Sequence, residues 1–299
     1  MSSTSIFFLY YCKMVLYVAL SLCVLLSAGC LGVTPGVPCG VPVTSSGHKR
    51  IVGGHVAMNN AWPWMIYIQS GVDGSNVGSA AVIHPSVLLT SAQVLQTTSG
   101  PVKDFRDWKL YDSSYDNSVH ANNRGVQLYH IDHVIIHPQY NDTNLLNDLA
   151  LIVTTEEISF SNATRPVCLP DATHRYATGD VCYLAGWDDQ SGSGNAGRLQ
   201  QVDLPILQDS VCMKHWTDVL PETEICAGYE AGHKDFCTGD IGSPLVCQDK
   251  SNSVWYIQGV ASSGGDCKTA DEPGLFEDIL VYRNWIQSTM AAAGYTYQY

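Results

Sequence analysis

The sequence is poor in positive charge and, beyond its N-terminal segment, in long apolar runs. It contains 15 Lys and Arg residues against 28 Asp and Glu residues, which gives a formal net charge of −13. A field of that sign disfavours nucleic acid, heparin-like polymers and anionic membranes as partners and favours basic proteins or peptides. No internal repeat, linker or additional module interrupts residues 51–299, so they suit one two-lobed domain with a sizeable core.

Acidic side chains are absent from the N-terminal segment, because the first one is Asp73. Residues 6–33 are apolar apart from Lys13, and the run that starts at Met14 ends in small residues. This pattern predicts a signal peptide over residues 1–29, with Met14 as an alternative start, and therefore a secreted, extracellular protein. An uncleaved signal anchor is the alternative reading, since the run approaches the ~20 residues that span a bilayer.

Short apolar runs rich in β-branched and aromatic residues alternate with clusters of Gly, Asn, Asp and Ser, as in an all-β barrel fold. The clearest runs are 64–69, 134–136, 149–153 and 255–260. A helix is predicted near the C-terminus, where Val281, Trp285, Ile286 and Met290 recur at spacings of three and four residues.

Cysteines and glycosylation signals fit an oxidising, extracellular location. Three of the eleven cysteines lie in the first thirty residues, which leaves eight for the folded part. An even number in a secreted chain predicts a disulfide framework, although eight cysteines allow 105 pairings. Two sequons predict N-glycans at Asn141 and Asn162.

One segment carries most of the functional information. Cys237-Thr-Gly-Asp-Ile-Gly-Ser-Pro-Leu-Val-Cys247 resembles the nucleophile loop of chymotrypsin- and trypsin-like serine proteases, Cys-x-Gly-Asp-Ser-Gly-Gly-Pro-Leu-Val-Cys. The two have the same length, so Ile241 takes the nucleophile position and Ser243 the second glycine. An isoleucine side chain cannot attack a carbonyl, because it has neither a lone pair nor an ionisable proton. Gly239 and Ile241 take the positions of the oxyanion hole.

The general-base position has also changed. Leu89-Thr-Ser-Ala-Gln-Val94 resembles the family's Leu-Thr-Ala-Ala-His-Cys and places Gln93 at the histidine. An amide does not titrate near neutral pH, so it cannot accept and return a proton. Asn147-Asp-Leu-Ala-Leu-Ile152 is similar to the segment that carries the third triad member, here Asp148. The resemblance thus implies a vestigial triad and a protein that is not an enzyme.

The activation signals of the family are present. Arg50-Ile-Val-Gly-Gly54 resembles the junction at which cleavage frees an isoleucine amine, so residues 30–50 form a short propeptide that ends at Arg50. Asp240 matches the aspartate that receives the Ile51 amine as a buried ion pair. We expect cleavage to act as a conformational switch, and an inherited motif on which nothing depends is the alternative.

Further matches occur in the family's order, at 181–187, 259–264, 273–276 and 282–286. The resemblance implies two packed six-stranded antiparallel β-barrels with a C-terminal helix. It also selects one disulfide pairing: Cys39–Cys168, Cys182–Cys247, Cys212–Cys226 and Cys237–Cys267. A bridge that usually flanks the catalytic histidine is absent at both ends, where Gly78 and Val94 stand instead.

The resemblance also implies a substrate cleft, at which Ser262 is one position. Asp235 stands where trypsin-like enzymes hold the carboxylate that pairs with Arg and Lys, and Gly264 and Gly274 match residues that leave this pocket open. Phe236, however, replaces a small polar neighbour, and its ring is large enough to fill the pocket. A solvated Asp235 without a ligand is therefore the alternative to a retained basic-residue pocket.

No metal or cofactor is expected. The spacing of His130, His133 and His137 suggests a metal site at first sight, but an extended segment points the first two to opposite faces. Residues 104–123 are rich in Asp and Asn and overlap the calcium loop of some relatives, and no ligand can be assigned there residue by residue.

Three functions remain. The first is a secreted, non-catalytic protein that binds extracellular proteins or basic peptides, as a decoy, cofactor or regulator of extracellular proteolysis or immunity. The second is a bulk extracellular component with the fold kept for stability, and the third and weakest is a residual hydrolase. We expect a monomer without membrane contact once the signal peptide is removed.

Overall fold

The structure is a computed structural model. It describes residues 37–43, 55–97, 100–102, 104–116, 125–187, 197–216, 222–230, 238–264 and 273–299. The chain divides into two compact units, Met1–Val37 and Pro38–Tyr299. Apart from Val37, the described residues belong to the second unit.

The described residues form mostly short strands. These are β1 (His55–Val56), β2 (Met65–Gln69), β3 (Asn76–His84), β4 (Val87–Thr90), β5 (Gln96–Thr97), β6 (Gly100–Pro101), β7 (Lys109–Tyr111), β8 (Leu128–Tyr129), β9 (Ile131–Ile136), β10 (Ala150–Thr154), β11 (Val181–Gly186), β12 (Gln200–Pro205), β13 (Glu224–Ala227), β14 (Pro244–Gln248), β15 (Trp255–Ser263) and β16 (Gly274–Asp278). The helices are α1 (Asp209–His215) and α2 (Ile279–Ala292), with 3₁₀ turns at Gln93–Leu95 and Thr238–Asp240.

Two large antiparallel sheets account for almost all of these strands. The first has the order β8-β7-β2-β3-β4-β10-β9, and the second has the order β1-β12-β11-β14-β15-β16-β13. Each consists of six strands and one additional two-residue strand at its edge, β8 or β1. The predicted fold, two antiparallel β-barrels followed by a C-terminal helix, is confirmed.

A cluster of aromatic rings joins the two halves of the fold. Trp62 and Trp64 precede the first sheet and meet Trp255 of the second, with the ring centroids of Trp62 and Trp255 5.0 Å apart. All three rings are fully buried, and the Trp62 Nε1 donates a 2.9 Å hydrogen bond to the Oε1 of Gln201 in β12. Because each such ring removes a large apolar area from water, this contact stabilises the packing of the two sheets against each other.

The C-terminal helix α2 buries a different face from the predicted one. Its buried residues are Ile279, Tyr282, Ile286 and Met290, and Trp285 is half-buried. Val281, which the sequence pattern placed on that face, is exposed. At 3.6 residues per turn it lies on the side opposite to Ile279, and the tyrosine takes its place because a phenol ring can be buried while its hydroxyl finds a partner.

The tyrosine-rich tail packs against the body of the protein. The backbone N–H of Leu169 donates a 2.6 Å hydrogen bond to the Tyr297 hydroxyl, and the Tyr295 ring lies edge-on against His84 at 5.4 Å. The tail therefore covers part of the first sheet, a role for which the sequence offered no signal.

Three disulfides join the same cysteines as the resemblance implies: Cys39–Cys168, Cys182–Cys247 and Cys212–Cys226. Cys237–Cys267 lies outside the described residues. Within the described part of the chain, no helix has the length and hydropathy needed to cross a membrane. The apolar run at 6–33 lies outside it.

Candidate functional site

The residues singled out by the sequence come from both sheets and meet in the groove. Thr90 at the end of β4 pairs with Ala150 at the start of β10. Since Gln93 follows the first strand and Asp148 precedes the second, this register places their side chains together. Ser262 reaches them from β15 of the other sheet.

Gln93, Asp148 and Ser262 form one hydrogen-bonded group. The Gln93 side-chain Nε2 donates to the Oδ2 of Asp148 at 2.5 Å and to the Ser262 carbonyl oxygen at 2.6 Å. The Gln93 backbone N–H donates to the other carboxylate oxygen at 2.8 Å, and the Ser262 hydroxyl donates to Oδ2 at 2.8 Å. Gln93 thus holds the Asp148 carboxylate with N–H donors, and its amide cannot accept a proton near neutral pH.

Asp148 is completely buried. Burial raises the pKa of its carboxyl to about 6, and the hydrogen bonds from Gln93 and Ser262 limit the rise. At neutral pH the group is therefore a carboxylate whose charge is stabilised by donors, as buried charges require.

A second buried carboxyl, Glu277, lies directly behind Asp148 and was missed by the sequence analysis. Its Oε1 accepts a 2.6 Å hydrogen bond from the Asp148 backbone N–H. Burial, together with the nearby Glu224 and Asp148 carboxyls, raises the pKa of Glu277 to about 8. Glu277 is therefore mostly protonated at neutral pH. The cross-strand register of β13 and β16, which sequence does not give, pairs Glu224 with Glu277.

The loop that carries Ile241 is held by its backbone. The Ile241 carbonyl oxygen accepts from Ser79 N–H in β3 at 2.8 Å, and Gly242 N–H donates to Ala261 in β15 at 2.9 Å. The isoleucine is only 8% exposed, so its side chain is buried among its neighbours and not offered to solvent. Backbone groups of both sheets therefore fix this position without any polar side chain at its centre.

Two neighbours of Ile241 show how tightly the loop is packed. Gly242 has φ +82°, and a Cβ there would overlap the Ser79 carbonyl oxygen and the Thr90 hydroxyl. Ser243 is fully buried, and its Oγ has no hydrogen-bond partner in the described part of the protein. The Ser243 hydroxyl is thus turned away from solvent and from any base.

The segment before Ile241 is tied to the first sheet by Asn76, a residue that the sequence analysis did not single out. Its Nδ2 donates to the Gly239 carbonyl oxygen at 3.1 Å while its Oδ1 accepts from Gly78 N–H at 3.1 Å. Asp240 is buried over Gly186, where a Cβ would overlap its carboxyl group. Arg50 and Ile51 lie outside the described residues, so the pairing of Asp240 with the freed amine stays a prediction.

Gly78 and Val94, the positions of the absent bridge, lie side by side. A Cβ at Gly78 would lie 2.7 Å from the Cγ2 of Val94, and the φ of Gly78 is +148°. The valine methyl group therefore occupies the space beside Gly78, and the glycine backbone makes room for it.

The predicted basic-residue pocket is described only in part. Ser262 is buried in β15, Gly264 follows that strand half-buried, and Gly274 begins β16, opposite Ala227. Asp235 and Phe236 lie outside the described residues, so the filling of the pocket by the Phe236 ring stays a prediction.

The other candidate residues lie apart from the groove. His130 contacts Glu156 at 3.0 Å, and His133 contacts Asp132 at 2.7 Å. His137 is buried with its ring against Trp285. No group of three or more potential metal-ligating side chains occurs in the described ranges. The asparagines of both sequons, Asn141 and Asn162, are exposed.

This double-sheet fold with a groove between its halves is that of the chymotrypsin-like serine proteases. The family model for trypsin matches residues 51–286, and the chain belongs to the trypsin family. It is similar to transmembrane protease serine 11G of Rattus norvegicus, with 30% identity over 253 residues that cover 84% of this chain and 58% of that protein. The chain thus corresponds to less than two thirds of the length of that relative.

Proposed function

We propose that the protein is a secreted, non-catalytic member of the trypsin family that binds extracellular proteins or basic peptides and acts as a decoy, cofactor or regulator of extracellular proteolysis or immunity. The observation that carries the proposal is the pair of side chains at the reacting positions. Ile241 cannot attack a carbonyl, and both N–H groups of the Gln93 amide are already donated within the protein.

The loss of both groups weighs heavily against turnover. In subtilisin, which has a different fold, removal of the nucleophile or the base alone lowers turnover by roughly a million-fold. Ser243, the nearest hydroxyl in the loop, is buried and faces no base. The chain carries a formal net charge of −13, and a field of that sign supports binding of basic partners.

The first experiment looks for catalysis after activation. The purified protein is cleaved after Arg50 and assayed with ester and amide substrates that carry Arg, Phe or Ala at the scissile position. We expect no turnover above the uncatalysed rate and no adduct with a serine-directed phosphonate. Turnover that this inhibitor abolishes, or an adduct mapped to Ser243, would show that the protein is a hydrolase.

A reversion variant tests how far the site has changed. Gln93→His combined with Ile241→Ser restores the residue types of the triad beside Asp148. We expect weak activity at most, because the reacting atoms must be placed to within about an ångström and Ser243 remains at a glycine position. Trypsin-like rates in the double variant would mean that the surrounding groove is still organised for catalysis.

Membrane anchoring is the second candidate for the protein's location. The similar rat protein is named a transmembrane protease, and residues 6–33 are apolar. N-terminal sequencing of the protein released from expressing cells distinguishes the two. A mature start near residue 30 in the medium supports secretion, whereas retention of residues 6–33 in the membrane fraction supports an anchor.

A further inference from the structure

The side-chain amide of Gln93 is fixed in one orientation. Its Nε2 lies between two acceptors, the Asp148 carboxylate and the Ser262 carbonyl oxygen, at 2.5 Å and 2.6 Å. Rotating the amide by 180° would place an oxygen against both of them, which is repulsive. The orientation therefore follows from the chemistry of the neighbours.

This orientation leaves the Oε1 of Gln93 as an acceptor directed away from Asp148. The oxygen has no hydrogen-bond partner in the described part of the protein, and the residue is half-buried at the groove. Its amide donates to a buried carboxylate, and a donor that is engaged in this way makes the acceptor at the other end of the amide stronger. The negative charge of the buried Asp148 thus increases the partial negative charge on the Gln93 Oε1.

Among the residues that the structure describes, no cationic side chain contacts Gln93. Asp148 and Ser262 are buried, and Ile241 presents hydrocarbon. A polarised acceptor with an anion behind it favours a ligand that brings a cationic N–H donor.

We infer that Gln93 Oε1 is a specificity-determining acceptor for a guanidinium or ammonium group of a basic peptide in the groove. The inference rests on the proposed binding function and specifies the chemical group that Gln93 binds. It does not involve Asp235, which lies elsewhere in the sequence and outside the described residues.

The geometry predicts a pH dependence, because the partial charge on the Gln93 Oε1 depends on the charge of Asp148, whose pKa is raised to about 6. The other titratable groups facing it are Glu277 of β16, Glu224 of β13, and the tyrosines Tyr140 and Tyr282. The pKa of Glu277 is raised to about 8, and burial raises the pKa of both tyrosines further above neutrality. From pH 5 to pH 7.5 Asp148 ionises while Glu277 stays mostly protonated, so cation binding should strengthen.

The test measures binding of three small probes by calorimetry at pH 5 and pH 7.5. Acetyl-arginine amide carries the guanidinium, glycylglycine amide the ammonium, and acetyl-leucine amide is the neutral control. The proteins are the full chain, Gln93→Met and the matched control Gln208→Met at an exposed glutamine. We expect at least one cationic probe to bind more tightly at pH 7.5 than at pH 5. The Gln93→Met variant should lower the affinity for that probe at least about tenfold and remove most of its pH dependence.

A second measurement does not depend on the folding of the variant. In the unmodified protein labelled with ¹⁵N, the Gln93 side-chain amide signals should move when the cationic probe is added and stay in place with the neutral probe. Absence of cation binding, or binding that Gln93→Met leaves unchanged and Asp235→Asn abolishes, overturns the inference while leaving a non-catalytic binding protein possible. Peptidase turnover would instead overturn the proposed function.

Discussion

The two sides of the site are held in place by different kinds of interaction. On the Gln93 side, which comprises Gln93, Asp148 and Ser262, the side chains form a closed group of hydrogen bonds. On the Ile241 side, which comprises Ile241, Gly242 and Ser243, backbone groups hold the loop, and the Ser243 hydroxyl has no partner among the described residues. One side is held by polar side chains and the other by backbone and close packing.

The difference shows that the geometry of a site and its chemistry are held by separate interactions. Glutamine can replace a histidine at the Gln93 side because it also donates an N–H to Asp148, so the carboxylate stays satisfied. Isoleucine can stand at the Ile241 side because the loop is fixed by the carbonyl and N–H groups of residues 241 and 242. Neither replacement therefore requires the fold to rearrange.

The largest effect is expected from a single methyl group on the Ile241 side. Gly242→Ala should destabilise the protein by about 3–5 kcal/mol, because the Cβ is strained at positive φ and overlaps the Ser79 carbonyl oxygen. Gly294→Ala is the matched control, since its φ is +89° and nothing lies within 4 Å of the added Cβ. It should cost only about 1–2 kcal/mol, measured by chemical denaturation. Equal losses would mean that packing around Gly242 is loose.

The buried carboxyls behind the Gln93 side should make stability depend on pH. The pKa of Glu277 is raised to about 8 in the folded protein, so the native state keeps a proton that the unfolded chain loses near its ordinary value. The contribution of Glu277 to stability is therefore greatest below its ordinary pKa and falls as pH rises toward 8, by about 2–4 kcal/mol. Glu277→Gln should remove most of this fall, and the exposed control Glu222→Gln should not. A flat profile in the unmodified protein would contradict the burial of these acids.

The smallest and most direct comparison uses the same substitution on both sides. Ser262→Ala removes a hydroxyl that donates to Asp148, so it should cost about 1–2 kcal/mol. Ser243→Ala removes a buried hydroxyl without a partner in the described residues, so it should be neutral or stabilise by about 1 kcal/mol. Thermal melting of the two variants gives the signs. Destabilisation by both would show that the Ser243 hydroxyl has a partner, such as a buried water.

Much of the fold was predictable because the motifs of the family occur in order and each fixes a local backbone shape. The meeting of Gln93 and Asp148 followed from the same motifs, whereas the hydrogen bonds of Ser262 to both of them were not predicted. Glu277 and Asn76 were not predictable, because each acts through a contact set by strand register or loop path. The predicted buried face of α2 was wrong at Val281, because this residue is exposed and the neighbouring Tyr282 is buried instead.

The contact between Gly78 and Val94 bears on how the protein responds to thiols. A sulfur bridge at this place could be cut by a reducing agent, whereas a valine methyl group against a glycine cannot. Reduction of Cys39–Cys168 would release the segment around Cys39, a region distant in sequence from Gln93. The contact between Gly78 and Val94 should therefore persist through changes of redox conditions that alter the covalent connectivity of the chain.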